Sequence, residues 1–399
     1  IGIFLWNALF VKGRIEIPKP SKENLVFYLL AAFGGVLLLS TLFSVDPSLS
    51  FWGDPIRSGG FLNLSLLILF GILAFLALDS QQWRGVLDFA IFVAVLVSIA
   101  AILQRIGLLD VVLPAGLERP GSTIGGPVFL AVYLLLFAFL PISFAFQSSS
   151  LKKRIWYEAS AIIILFVIVL TLTRAAYLGL AIGILWFVLF YPSKANIAKL
   201  AKIAGAIGML LGVSVLVYAN AAKDFPEFIE DNSLLFAIVE RLSLEQVMQD
   251  PRFSSWSISI EAIRDRPLLG YGLENYSVGF DKHFDPSLQG FAIDVQGSNW
   301  WDRAHNILFD IGVSAGVFAL LLFIWLFGML LVSLQKMKKE APGKAALSHG
   351  IQATLLAYLV TDVFSIDTFP SFLIFFLLVG YAMHLTNIKK EPYALPLLF

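Results

Sequence analysis

The residues best suited to chemistry stand together at Trp301-Asp302-Arg303-Ala304-His305-Asn306, where a long polar segment ends and a long apolar one begins. Histidine can take or give a proton near neutral pH, and arginine can bind a phosphate through two parallel hydrogen bonds. This stretch therefore predicts polar chemistry at a membrane face. The alternative is that Arg303 and His305 only form the solvated cap of a membrane helix.

A further arginine stands in an almost continuously apolar run, at Thr171-Leu172-Thr173-Arg174. A charge near the centre of a bilayer costs about 2.5–3.5 kcal/mol on insertion scales, so such a residue usually faces a bundle interior or a water-filled cavity. We therefore expect Arg174 to be functional. The alternative is that it only marks the turn of a tight helical hairpin.

Arg252 follows Asp250-Pro251, two residue types that favour the start of a helix. Spacings of four, four and three place Arg252, Trp256, Ile260 and Ile263 on one helix face. The helix could lie on the membrane by this face and offer Arg252 to the same site as Arg174. The alternative is an ordinary surface helix.

Two turn-rich loops each carry one more arginine, Arg57 in 45–59 and Arg119 in 108–124. Gly and Pro predict structured turns in both, and Gly-rich backbone before a helix can present N–H groups to an anion. Arg57 could instead be an ordinary interfacial arginine, and the loop of Arg119 a tight re-entry into the membrane.

The elements that position these residues are membrane helices, because the chain is 58% hydrophobic and only 14% charged, against about 25% charge in soluble domains. Apolar runs of about 20 residues predict helices that span the bilayer, not a barrel. Full spans are expected at about 24–44, 60–78, 86–107, 125–146, 155–173, 174–191, 203–220, 305–334, 347–362 and 368–387.

The fold class we expect is an all-α polytopic membrane protein with about 11 transmembrane segments, counting the short apolar stretch 1–11. An earlier helix would bring the complete protein to about 12. Three parts are expected: an N-terminal transmembrane bundle 1–220, a large extracytoplasmic loop 221–304 containing short helices, and C-terminal transmembrane helices 305–399.

Orientation follows from the basic residues, which favour cytoplasmic loops. Most lysines fall on one set of alternating loops, for example Lys152, Lys338 and Lys389, whereas the opposite set holds mainly arginines. The segment 221–304 therefore lies outside, and it carries more acids than bases. Any anion site there must be local, because the surface as a whole is not basic.

Other features narrow the possible chemistry. The net charge is zero, so no nucleic-acid partner is expected, and the lack of cysteine excludes disulfides and cysteine metal sites. No metal or cofactor is expected, since no carboxylate pair is tied to Arg174, Arg252 and His305. Asp362 and Asp367 are the best spare acids, and a structural role is expected for them and for the remaining histidines.

The set of motifs resembles the O-antigen ligase and polymerase superfamily of bacterial membrane glycosyltransferases. The resemblance rests on four stretches, in an order and on a predicted outer side that match the family: Phe51-Trp52-Gly53 with Arg57; Arg119-Pro120-Gly121-Ser122-Thr123; Leu172-Thr173-Arg174; and Arg252 with Trp256, Pro267-Leu268-Leu269-Gly270-Tyr271-Gly272 and Arg303-Ala304-His305-Asn306.

Two departures from the family pattern concern single positions. Gly125-Gly126-Pro127-Val128 stands where members commonly have Gly-Asn-Pro-Asn, and Thr173 replaces the frequent serine before the arginine. At the first position the chain lacks the asparagine side-chain amides of the family pattern, so no role is carried over to them. At the second position threonine keeps the hydroxyl group of serine.

The resemblance implies a GT-C-like fold and glycosyl transfer in the bacterial inner membrane, with the active site facing the periplasm or the exterior. The donor would be a glycan on a polyprenyl diphosphate (undecaprenyl diphosphate), and the acceptor a hydroxyl on a lipid, as in lipopolysaccharide, on a glycan or on a protein. In the family, Arg174 and Arg252 would bind the diphosphate and His305 would be the base. Arg57, Arg119, Trp256, Arg303 and Asn306 are further candidates for substrate binding.

Three alternatives remain at this stage. A glycan polymerase of the same fold would differ only in its acceptor site. A transporter or flippase for an anionic substrate would also use arginines in a membrane cavity, and it predicts internal repeats and broken helices at matching positions. A non-catalytic assembly protein would leave the arginines and His305 without a common pocket.

Overall fold

The computed structural model describes most of the chain between its two terminal segments. The described residues are 25–55, 57–109, 118–191, 196–221, 226, 229, 231–241, 250–285, 287–288 and 301–386. The apolar stretch 1–11, which the sequence predicts to be part of a further segment, lies outside these residues.

Within the described residues every regular element is helical, as the sequence predicts. The α-helices are α1 (Leu25–Leu42), α2 (Pro47–Trp52), α3 (Phe61–Ala77), α4 (Ser80–Arg105), α5 (Pro127–Leu135), α6 (Leu140–Gln147), α7 (Leu151–Leu170), α8 (Arg174–Leu189), α9 (Asn196–Ala221), α10 (Ser233–Glu240), α11 (Arg252–Asp265), α12 (Tyr276–Lys282), α13 (Ile307–Glu340), α14 (Ala345–Asp362) and α15 (Phe369–Thr386).

A helix or a helix pair lies at each of the ten predicted full spans. Among the described residues, five of these, namely α1, α4, the α5–α6 pair, α13 and α15, are long and apolar enough to cross a membrane. The chain is therefore a multi-pass membrane protein. The total number of spans, the GT-C-like arrangement and the division at 220 and 304 stay predictions.

Two predicted spans differ in detail from the observed helices, each for a local reason. The span placed at 86–107 begins at Ser80, because the Asp79 carboxylate accepts hydrogen bonds from the N–H groups of Gln81 and Gln82 and caps the helix. The span placed at 125–146 is two helices, α5 and α6, and Pro141 stands in the first turn of the second. A proline lacks the N–H that would continue the preceding helix.

Small residues allow the helices of the bundle to approach closely, as is common in membrane proteins. α13 packs on α1 and α14, α3 packs on α15, and α8 packs along α14. A Cβ atom added at Gly179 of α8 would lie 2.4 Å from the carbonyl oxygen of Ala357 in α14. This contact holds the start of α8, and with it Arg174, against the bundle.

α13 is interrupted in its N-terminal third, where residues 267–272 bind to its backbone. Gly316 has φ 81° and ψ 177°, which breaks the helix. The N–H of Tyr271 donates to the carbonyl of Val313 at 2.9 Å, and the N–H of Gly272 donates to the carbonyl of Ser314 at 2.8 Å. The run 267–272 is thereby fixed to α13 within three turns of His305.

Gly316 should be intolerant of a side chain. Its φ and ψ fall in a region essentially restricted to glycine, and an added Cβ would lie 2.2 Å from the carbonyl oxygen of Leu268. We expect Gly316→Ala to destabilise the protein by about 2 kcal/mol or more, seen as a lower Tm in detergent.

Gly328 provides the matched control, since it stands in the same helix and an added Cβ would meet nothing within 4 Å. Gly328→Ala should leave Tm unchanged or raise it, because alanine is the better helix former by about 1 kcal/mol. Equal Tm values for the two variants would contradict a break in α13 that requires glycine.

Candidate functional site

Four arginines line one cavity of about 200 Å³: Arg119, Arg174, Arg241 and Arg252. The only carboxylate among its described lining residues is Asp250. A cavity with this excess of guanidinium groups suits an anion with several oxygens, because each guanidinium can present two parallel N–H donors. We refer to it as the arginine cavity.

Arg174 and Arg252 each occupy the first residue of a helix. Arg174 begins α8 immediately after the turn Thr171–Thr173 that follows α7, and its side chain lines the arginine cavity. Arg252 begins α11, one residue later than the sequence suggested, and the Asp250 carboxylate accepts a hydrogen bond from its N–H at 3.1 Å. The positive end of each helix dipole adds to the attraction for an anion.

Arg119 supports the hairpin turn that presents Arg174. Its Nε donates to the carbonyl of Thr171 at 3.0 Å, and a terminal nitrogen lies 3.5 Å from the hydroxyl of Thr173. Burial lowers the pKa of Arg119, and the nearby Arg241 lowers it further. The residue predicted to touch substrate is thus also tied to the turn.

Arg241 is a lining residue that sequence reasoning did not select. It follows α10 in the large loop, and both Arg119 and Arg174 lie within its electrostatic range. The available signal was the preference for arginine over lysine on the predicted outer side. That signal does not separate Arg241 from the surface arginines of the same segment.

His305 lies in the turn that precedes α13 and has a left-handed backbone, with φ 52°. Its Nδ1 lies 3.3 Å from the carbonyl oxygen of Arg303, and its ring packs against Trp301 with the centroids 4.5 Å apart. Few residues other than glycine adopt a left-handed φ, and histidine, like asparagine and aspartate, does so more often than most. The contacts with Arg303 and Trp301 help to hold His305 in this conformation.

Burial lowers the pKa of His305, the Arg303 carbonyl opposes the change, and the positive charges of Arg252 and Arg57 lower it further. An ordinary histidine has a pKa of about 6.5. The imidazole is therefore mostly neutral at pH 7, the state that can accept a proton.

Replacing Arg57 should shift the pH dependence of any reaction that needs neutral His305. Arg57→Gln removes a positive charge that disfavours the imidazolium, and it leaves Asp302, which favours it, without its ion-pair partner. Both changes raise the pKa of His305. We expect the acid limb of a kcat/KM-against-pH profile to move to higher pH.

Arg154→Gln is the matched control for this shift, because it also breaks one ion pair, that with Glu158. Its acid limb should coincide with that of the parent. An unmoved limb in Arg57→Gln would show that Arg57 does not act on the titrating group.

Arg57 and Arg303 are engaged in ion pairs and line a second, mostly apolar cavity of about 110 Å³. Arg57 contacts Asp302, with Nε to Oδ2 2.5 Å and a terminal nitrogen to Oδ1 2.9 Å. Arg303 contacts the buried Glu274 at 2.6 Å. Neither arginine is among the described residues that line the arginine cavity, so a contact of Arg57 or Arg303 with the same anion stays a prediction.

Asn306 and Trp256 both make contacts that build the His305 turn. The Oδ1 atom of the buried Asn306 accepts hydrogen bonds from the N–H groups of Leu308 and Phe309 and caps α13. The indole Nε1–H of Trp256 donates to the carbonyl of Ala304 at 3.0 Å. In this structure the Oδ1 atom of Asn306 and the indole N–H of Trp256 are therefore engaged within the protein. A role of either residue in binding substrate stays a prediction.

The spare acids Asp362 and Asp367 form a buried pair of interacting carboxyl groups. The hydroxyl of Tyr358 donates to Asp367, and that of Ser365 donates to Asp362. The pair joins the C-terminal end of α14 to the following loop. This arrangement fits the structural role that the sequence suggested.

The structure thus brings Arg174 and Arg252 together in one cavity, with Arg119 and Arg241 beside them. His305 is not among the described lining residues, but Arg252 lies within its electrostatic range. Trp256, one helical turn after Arg252, bonds to the residue before His305.

Residues 159–324 match the family model described as O-antigen ligase. This part of the chain is similar to the O-antigen ligase family. The resemblance to the O-antigen ligase and polymerase superfamily is thereby confirmed over these residues. No curated protein matches the chain.

The O-antigen ligase match spans Arg174, Arg252 and His305, whereas Arg57 and Arg119 precede it. It indicates a membrane glycosyltransferase of the ligase or polymerase type that acts on lipid-linked glycans. The part of the chain that carries the family resemblance therefore also holds the two helix-starting arginines and the histidine turn.

Proposed function

We propose that the protein transfers a glycan from a polyprenyl diphosphate carrier to an acceptor hydroxyl, as an O-antigen ligase does, in the bacterial inner membrane with the site facing outward. The observation that carries the proposal is the arginine cavity, one of whose arginines, Arg252, is near enough to His305 to lower the pKa of its imidazole. This reaction requires cationic groups that bind the diphosphate and a group that accepts the proton of the acceptor hydroxyl.

In the proposed reaction, the acceptor hydroxyl gives its proton to the imidazole of His305 as its oxygen attacks the anomeric carbon. The bond between that carbon and the diphosphate oxygen breaks, and the electron pair leaves with the polyprenyl diphosphate. Direct attack from the opposite side inverts the anomeric centre.

The leaving diphosphate gains negative charge as the bond breaks, and Arg174 and Arg252 can stabilise it with donors already in place. Arg119 and Arg241 add two further positive charges at the same cavity. The charge stabilisation that the reaction needs can thus come from arginines, which supports a metal-independent mechanism.

The proposal is tested by reconstituting the intact protein in proteoliposomes with a glycan on polyprenyl diphosphate and a panel of lipid, glycan and protein acceptors. We expect glycan transfer to at least one acceptor, with release of polyprenyl diphosphate in equal amount. The acceptor class that is used distinguishes a ligase from a polymerase.

A donor with the same glycan on polyprenyl monophosphate is the control, and it should be transferred poorly, because the arginine cavity would hold one phosphate fewer. Movement of the donor across the bilayer, with no transfer to any acceptor, would overturn the proposal in favour of a transporter.

A further inference from the structure

The residue before His305 is held by side chains on both sides. Ala304 is fully buried; its N–H donates to Oδ1 of Asp310 at 2.7 Å, and its carbonyl accepts from the Trp256 indole at 3.0 Å. The two peptide groups that flank Ala304 therefore have fixed planes, and the second of these is the peptide that leads into His305.

The residue after His305 is held as well. The Asn306 side chain caps α13, and the Asn306 carbonyl accepts from the N–H of Asp310 at 2.9 Å. His305 is thus the single residue between two fixed positions. Its left-handed φ of 52° is the rotation that connects them, and this rotation decides where the imidazole points.

Trp256 connects this turn to the arginine cavity. It stands one turn after Arg252 on α11, and its ring packs against Phe309 of α13 and against Phe364, with centroids 5.8 and 5.7 Å apart. Phe364 lines the arginine cavity. One helix therefore carries both an anion-binding arginine and the donor that fixes the peptide before the histidine.

We propose that Trp256 is a positioning residue: its indole N–H holds the Ala304–His305 peptide so that the imidazole meets the acceptor hydroxyl when the donor diphosphate occupies the arginine cavity. This rests on the proposed glycosyl transfer. Trp256 acts through His305 and does not itself contact the reacting atoms, which replaces the substrate contact that the sequence suggested for it.

The first test is Trp256→Phe, which keeps an aromatic ring between Phe309 and Phe364 and removes the N–H donor. A general base that is displaced by a fraction of an ångström loses much of its effect. We expect kcat to fall about tenfold, while the KM for the polyprenyl diphosphate donor stays within about twofold, because Arg174 and Arg252 are unchanged.

Trp186→Phe is the matched control. The Nε1 atom of the half-buried Trp186 is buried and has no hydrogen-bond partner in the described residues, and the ring lies near His349, far along the chain from His305. The same loss of ring area without the loss of a hydrogen bond should leave kcat unchanged. Equal kcat values for Trp256→Phe and the parent would overturn the proposal.

The second test needs no activity and therefore separates this inference from the proposed function. Hydrogen exchange of the Ala304 amide is slow while the turn is held, because that N–H is buried and donates to Asp310. Trp256→Phe should speed this exchange about tenfold or more, and Trp186→Phe should not.

The two failures are distinguishable. Suppose that exchange is faster in Trp256→Phe but the parent protein transfers no glycan. The role of Trp256 in holding Ala304 would then be retained, and the proposed glycosyl transfer would be rejected. Transfer by the parent with unchanged exchange in Trp256→Phe would retain the transferase and reject the positioning role of Trp256.

Discussion

Replacing His305 with asparagine is expected to lower kcat for glycan transfer by about 10²–10⁴-fold, the usual contribution of a general base. Asparagine cannot accept the acceptor's proton at neutral pH. It is nevertheless among the residues that best tolerate the left-handed backbone that His305 adopts. The turn should therefore persist while the chemistry is lost.

His283→Asn is the matched control, since it makes the same substitution at the histidine just after α12. It should keep the activity of the parent. Donor binding to His305→Asn should also remain, measured by fluorescence of a labelled polyprenyl diphosphate glycan, because the arginine cavity is intact. Full activity of His305→Asn would reject His305 as the base.

The sequence predicts the helices well, because length and hydropathy alone decide whether a segment can sit in a bilayer. The run 174–191, for instance, becomes α8 (Arg174–Leu189), and 368–387 becomes α15 (Phe369–Thr386). The break at 136–139 between α5 and α6 was missed, since the segment is apolar throughout and hydropathy does not register local turns.

The two helix-starting arginines were also predictable, each for a local reason. Arg174 is a charge in an apolar run, and Arg252 follows a helix-start pair. Their meeting in one cavity was expected from family resemblance, not from spacing, because about 80 residues of chain separate them. Such a long-range meeting depends on helix packing, which the hydropathy pattern does not encode.

What the sequence could not show is the set of partners around the histidine turn. The pairs Arg57–Asp302 and Arg303–Glu274 join residues far apart in the chain. The hydrogen bond from Trp256 to Ala304 ends on a backbone carbonyl, which carries no residue signature at all. For this reason the sequence predicts only a possible substrate contact for Trp256, and its hydrogen bond to Ala304 is known from the structure alone.

The second large effect is expected at the arginines that would hold the diphosphate. Arg174→Gln and Arg252→Gln should each lower kcat/KM for the polyprenyl diphosphate donor by about 10²-fold or more, since each removes a preorganised donor at the point where charge develops. The fold-decrease in kcat/KM of the double variant should be smaller than the product of the two single fold-decreases, because residues that bind the same ligand are not independent.

Lysine substitutions separate charge from geometry. Arg174→Lys keeps the positive charge but loses the planar fork that binds two oxygens at once, so its activity should fall between those of the parent and Arg174→Gln. A value equal to that of the parent would mean that charge alone is required at this position.

The matched control for Arg252 is Arg264→Gln on the same helix, where the side chain is 70% exposed and pairs with Glu261. It should leave kcat/KM unchanged, because exposed ion pairs contribute little and Arg264 does not line the cavity. If Arg252→Gln behaved like Arg264→Gln, the four-arginine cavity would not be the donor site, and the diphosphate would have to bind elsewhere in the bundle.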